Sequence, residues 1–62
     1  MHHTFELYVR LPGGQRRFTA LTCRPYEMVA KARRVLSEAG GTEVEVHQAG
    51  AHLFTLAVSE GG

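Results

Sequence analysis

The sequence predicts an α+β fold in the order hairpin, helix, hairpin (ββαββ), a four-stranded sheet with one helix packed on one face. Three observations carry this. Pro25 to Ala39, PYEMVAKARRVLSEA, is the only stretch with a helical period. On both sides of it apolar residues alternate with polar ones, the two-residue period of half-buried strands. Gly and Pro cluster at Pro12-Gly13-Gly14, Gly40-Gly41 and Gly50, where this order needs reversals.

Phe5 to Leu11 is the first strand, with Phe5, Leu7, Val9 and Leu11 on one side and Glu6, Tyr8 and Arg10 on the other. Pro12 to Gln15 is turn chemistry. Arg16 to Thr22 is the second strand. Pairing Leu11 with Arg16 across a four-residue loop sets Val9 against Phe18 and Leu7 against Ala20, so that the apolar sets share one face. In the helix, Met28, Val29, Ala32, Val35, Leu36 and Ala39 fall within an arc of roughly 120°, a core-facing stripe. Pro25 suits the first helical position and Glu27 the positive end of the dipole. Glu27 and Lys31 are spaced as an i,i+4 pair, and Gly40 suits a left-handed stop.

Thr42 to Gln48 alternates again and Ala51 to Val58 is the fourth strand. A symmetric turn at Ala49-Gly50 sets Glu45 against Phe54. A shift of one residue pairs Val46 with Phe54 and Val44 with Leu56, and burial selects it. That register implies an odd-length loop with Gly50 left-handed, and it sends His47 and His52 to opposite faces. Strands two and three carry more charge, which suits sheet edges. This argues for the order 2-1-4-3, with strands one and four parallel at the centre. A fifteen-residue helix, about 22 Å long, matches a seven-residue strand of about 23 Å. In element order and length the layout resembles the β-grasp fold, as in immunoglobulin-binding bacterial domains.

Sixty-two residues are read as a single domain, 1–62, with 1–4 and 59–62 as tails. A chain this short buries only about 60% of its unfolded surface, and small domains without staples gain stability by self-association. One cysteine, Cys23, excludes an internal disulfide and suits a reducing compartment. No apolar run approaches the roughly 20 residues of a membrane span, and no signal peptide is read at the N-terminus. These features predict a soluble, cytoplasmic protein without a membrane partner. The formal net charge of +1 is too balanced for a dedicated polyanion binder.

No constellation names a reaction. His2, His3, His47 and His52 lack metal-ligand spacing. Cys23, beside Arg24 at a helix start, has the setting of an activated thiolate or of a small buried apolar residue. The expectation is a protein without catalytic residues, metal or cofactor. Arg10, Arg16 and Arg17 cluster near the first hairpin's tip, with Arg10 opposite Arg17, and Lys31, Arg33 and Arg34 add charge on the helix. The face left open by a single helix is expected to carry Tyr8, Arg10, Arg17, Thr19, Leu21, Leu53 and Thr55, with Ala57 and with Glu6, Glu43, Glu45 and His47. Such a mixed face suits a protein partner or a second copy.

The predicted role is therefore a non-catalytic protein-interaction module that binds a partner, or itself as a homodimer, through the open face or a sheet edge. One alternative is an RNA or DNA accessory binder using Arg10, Arg16, Arg17 and the basic helix residues. The other follows from a resemblance: a β-grasp domain ending in Gly61-Gly62 looks like a ubiquitin-like modifier or sulfur carrier. That resemblance implies an activated C-terminal carboxylate.

Overall fold

A computed structural model describes residues 2–58. It contains strands β1 (His3–Arg10), β2 (Arg16–Cys23), β3 (Glu43–Gln48) and β4 (Ala51–Ala57), with one helix, α1 (Met28–Ala39), entered through a 3₁₀ turn at Pro25–Glu27. The ββαββ order and the single helix on a four-stranded sheet agree with the sequence. The strand order is β2-β1-β3-β4, and every neighbouring pair is antiparallel.

This corrects the expected order 2-1-4-3. No parallel pair lies at the centre, so the β-grasp likeness fails at the sheet. Charge had placed β3 at an edge, but Glu43, Glu45 and His47 all point away from the helix. There Glu43 lies 3.6 Å from Arg10 and Glu45 lies 3.6 Å from Arg16. With its charges matched by arginines of β1 and β2, β3 is free to bury its other side, and Val44 and Val46 are fully buried. The helix stop reinforces the placement. Gly40 takes a left-handed conformation (φ 66°). Gly41 is packed so tightly that a Cβ there would meet Val9 and the Arg10 carbonyl. The next residue, Thr42, donates its N–H to that same carbonyl (2.8 Å). The chain thus leaves α1 directly alongside β1.

The first hairpin also pairs differently. Leu11-Pro12-Gly13-Gly14 forms a turn closed by the Gly14 N–H on the Leu11 carbonyl (3.1 Å), with Gly13 at φ 93°. Pro second and a positive-φ glycine third define a type II turn. Gly14, also left-handed, adds a residue before Gln15 accepts the Leu11 N–H. The strands therefore align Arg10 with Arg16, Tyr8 with Phe18 and Phe5 with Leu21. Relative to the expected register, every β2 side chain changes face. Cys23 enters the core and Leu21 packs against it, while Phe18 lies on the open side.

The second hairpin keeps the expected pairs Val46 with Phe54 and Val44 with Leu56, and Gly50 is left-handed (φ 83°). The loop, however, has two residues. Ala49 (φ 52°) and Gly50 both lie at positive φ, as a type I′ turn requires, and His47 stands opposite His52. The shift occurs inside the strand, where Leu53 is the extra residue of a bulge.

The core joins Phe5, Leu7 and Val9 of β1 and Val44 and Val46 of β3 to Met28, Ala32 and Leu36 of α1, with Cys23 at one end. Three of the predicted helical stripe are buried, whereas Val29 stays exposed. Glu27 accepts the Arg24 N–H (3.1 Å) at the helix entry, and the i,i+4 ion pair of the helix is Arg34–Glu38 (3.9 Å). β1 starts two residues earlier than expected. His3 pairs with Cys23 and accepts a hydrogen bond from Gln48 (3.2 Å), so the expected tail of residues 1–4 is partly strand.

Candidate interaction surfaces

Four rows of side chains cross the face away from α1. One reads Phe18, Tyr8, Glu45, Thr55 and the next Ala20, Glu6, His47, His52. Beyond the first lies Arg16, Arg10, Glu43, Ala57, and beyond the second the pair Thr22 and Thr4, whose hydroxyls lie 3.1 Å apart.

Rings link the two middle rows. Phe18 and Tyr8 are 5.3 Å apart, Tyr8 and His47 5.0 Å, and His47 and His52 5.2 Å. The last two contacts are edge-to-face, a favoured geometry for a ring quadrupole. Arg16 sits over the Tyr8 ring, 5.6 Å from its centre. The ribbon therefore spans all four strands, from a half-exposed Phe18 on one edge to His52 on the other.

Glu45 organises its polar side. Its Oε1 accepts a hydrogen bond from His47 Nε2 (3.2 Å) and faces the Arg16 guanidinium. The His47 bond, helped by the charge of Arg16, holds the Glu45 carboxyl below the usual glutamate value. His52 Nε2 lies 2.8 Å from the Thr55 hydroxyl, and Glu6 accepts the Gly50 N–H (3.3 Å), which ties the open face to the second turn. The like-charge pair is Arg10 with Arg16, not Arg17, and the chain's own carboxylates offset it.

The structure divides the predicted interface. Tyr8, Arg10 and Thr55 lie on the open face, as do Ala57, Glu6, Glu43, Glu45 and His47. Arg17, Thr19 and Leu21 lie on the helix side, because β2 is reversed. Leu53 is lifted out by the bulge and lines a groove beside α1. Phe18 and the His47–His52 contact were missed. The signal for the first was Pro12-Gly13-Gly14 read as a full type II turn with an added left-handed residue. The signal for the second was the two-residue turn at Ala49-Gly50.

The two flanks of α1 form separate surfaces. Between α1 and β2 a groove of about 250 Å³ is lined by Val9, Arg17, Thr19, Val35, Glu38 and Ala39. Between α1 and β4 two grooves of about 350 and 370 Å³ are mainly apolar, with Val29, Leu53 and Phe54 in one and Leu36, Ala57 and Val58 in the other.

Cys23 is buried with its Sγ 4.0 Å from Met28 Sδ, the place of a small core residue rather than of an exposed nucleophile. Among the described residues no group of three or more His, Cys, Asp or Glu side chains converges as a metal site requires. No helix among them is long and apolar enough to cross a membrane. Gly61-Gly62, on which the carrier reading rests, lies outside the described residues. Compared with protein-family models, curated proteins and solved structures, the chain gives no match in any of the three.

Proposed function

We propose that this chain is a small interaction module, with no reaction of its own, that takes a protein partner on its open sheet face. A reducing, cytoplasmic setting suits its single free thiol. The observation that carries the reading is Phe18. It is 56% exposed in mid-strand, beside Tyr8 and next to Arg16. Tyr, Phe and Arg are the residue types enriched where proteins meet, and Tyr and Arg dominate binding hot spots. Two arginines against three glutamates leave the face close to neutral. Its polar groups are largely paired within the chain, so an apolar contact centred on Phe18 strands few of them.

A second reading has one specific observation in its favour. Aromatic neighbours on adjacent strands of an open antiparallel sheet form a platform for unpaired bases, and Tyr8 with Phe18 has that arrangement. The three glutamates of the face weigh against a polyanion.

The test separates the two. For a partner captured from the native host, Phe18→Ala should weaken binding at least about tenfold, or roughly 1.4 kcal/mol, by titration calorimetry, with the fold intact by circular dichroism. Unchanged affinity in both Phe18→Ala and Tyr8→Ala would remove the open face from the interface. A labelled single-stranded oligonucleotide should stay unbound at low salt. Binding that falls steeply between about 50 and about 200 mM salt would favour the second reading instead.

A further inference from the structure

We propose that the protein forms a two-fold dimer by antiparallel pairing of the free edges of β4, with Leu56 of one protomer facing the partner's Leu56. This joins two four-stranded sheets into one continuous sheet.

The backbone selects the residues. Val58 donates its N–H to the Thr42 carbonyl (3.0 Å), continuing the ladder in which Leu56 pairs with Val44 and Phe54 with Val46. Antiparallel strands alternate the direction of their backbone groups. The N–H and C=O of Phe54, Leu56 and Val58 therefore point into the sheet, and those of Thr55 and Ala57 point outward. The bulge at Leu53 ends this regular stretch on one side. Two copies that exchange hydrogen bonds between Thr55 and the partner's Ala57, and the reverse, bring Leu56 onto the two-fold axis. Phe54 then faces the partner's Val58.

The side chains fit a second copy. Strand β4 has no Asp, Glu, Lys, Arg or Pro, the residues that normally guard a sheet edge. Its only titratable group, His52, lies beyond the bulge. On the helix side the facing residues are Phe54, Leu56 and Val58, all apolar and none fully buried in the monomer. On the open side Thr55 meets Ala57. Among the described residues of the paired stretch, 54–58, no charged side chain is present, so the strands themselves bring no like charges together. A two-fold axis perpendicular to the sheet puts both helices on one side, so the mainly apolar grooves beside β4, one of them lined in part by Arg33 and Ser37, meet over the seam. The other edge, β2, carries Arg16 and Arg17 on opposite faces, which disfavours continuation beyond the pair. The contact is isologous and closes at two copies.

The shared edge is about 17 Å long at 3.4 Å per residue, which puts the contact at the small end of the size range and the affinity in the micromolar region or weaker. The proposal is independent of the open face, whose aromatic ribbon it leaves uncovered. Loss of either reading leaves the other standing.

Sedimentation velocity from about 10 µM to about 1 mM should show conversion from monomer to dimer. Amide exchange by NMR at high concentration should show Thr55 and Ala57 protected, with that protection falling on dilution. Ala57→Pro removes an outward donor while sparing every β3–β4 hydrogen bond, and should weaken dimerisation at least tenfold. Thr55→Lys, at an exposed side chain, should do the same if the proline disturbs folding. A monomer throughout the series would overturn the proposal. So would a dimer in which Thr55 and Ala57 exchange as freely on concentration as on dilution.

Discussion

The two sides of α1 are built from the same kinds of element, a strand beyond a central strand and a groove beside the helix, yet they differ in character. On the β2 side the groove walls include Arg17, Thr19 and Glu38, and the edge begins with two arginines. On the β4 side the groove walls are mainly apolar, with Val29, Leu36, Leu53, Phe54 and Val58 beside Arg33, Ser37 and Gln48, and the edge is uncharged. The helix lies over β1 and β3, so neither outer strand is fully covered. One flank is lined about equally by polar and apolar groups and the other mainly by apolar ones. An apolar surface that stays wet forfeits about 25 cal/mol per Å² relative to burial, and the β4 flank is where this chain has most still to gain.

Truncation on each flank should expose the difference. Leu36→Ala, at a buried side chain that also walls the β4 groove, should cost about 2–5 kcal/mol. Val35→Ala, half-buried on the β2 groove, should cost about 1 kcal/mol. Urea denaturation measures both, and equal costs would mean that the flanks share the core evenly. Changing the edges is a sharper test. Arg16→Thr combined with Arg17→Thr makes β2 as uncharged as β4. Sedimentation should then show species larger than a dimer, whereas an unchanged distribution would show that these arginines guard nothing.

The smallest effect concerns the open face. Glu45 has its carboxyl lowered in the folded protein, so folding favours its ionised form. The resulting stability is fully present above the ordinary glutamate value and is lost as pH falls through the lowered one. Glu45→Gln should remove that acid-side slope and leave stability at neutral pH little changed, since the carboxylate and its partners are solvent-screened. Thermal melts of both proteins between about pH 3 and about pH 7 check it. Identical slopes would assign the acid sensitivity to another carboxylate.

Much of this was legible along the chain. The helix from Pro25 to Ala39, its Gly40 stop and the alternation of β1 and β3 are local patterns, set by residues a few positions apart. So was the pairing of Val44 and Val46 with Leu56 and Phe54, because only that register buries all four. The face of Phe18 was harder to read. Its alternation fits two registers that differ by one residue, and the larger side chain suggested the wrong one. Leu21 and Cys23, taken together, outweigh Phe18 in the core. The glycine turn admits their register, and no single position announced it. His47 and His52 were misplaced for a related reason: the shift in the second hairpin lay at Leu53 within the strand, not in the loop.

The sequence alone determined the elements, their order and the one-helix, one-sheet architecture, because periodicity and turn chemistry act over a few residues. The tertiary structure decided which strands are neighbours and which side of β2 faces water. Those choices depend on contacts between distant segments: Glu43 and Glu45 matched to Arg10 and Arg16, and Gly41 set against Val9 and the Arg10 carbonyl. Only when those segments meet does a charged strand become a central one, and only then does the uncharged strand become the free edge.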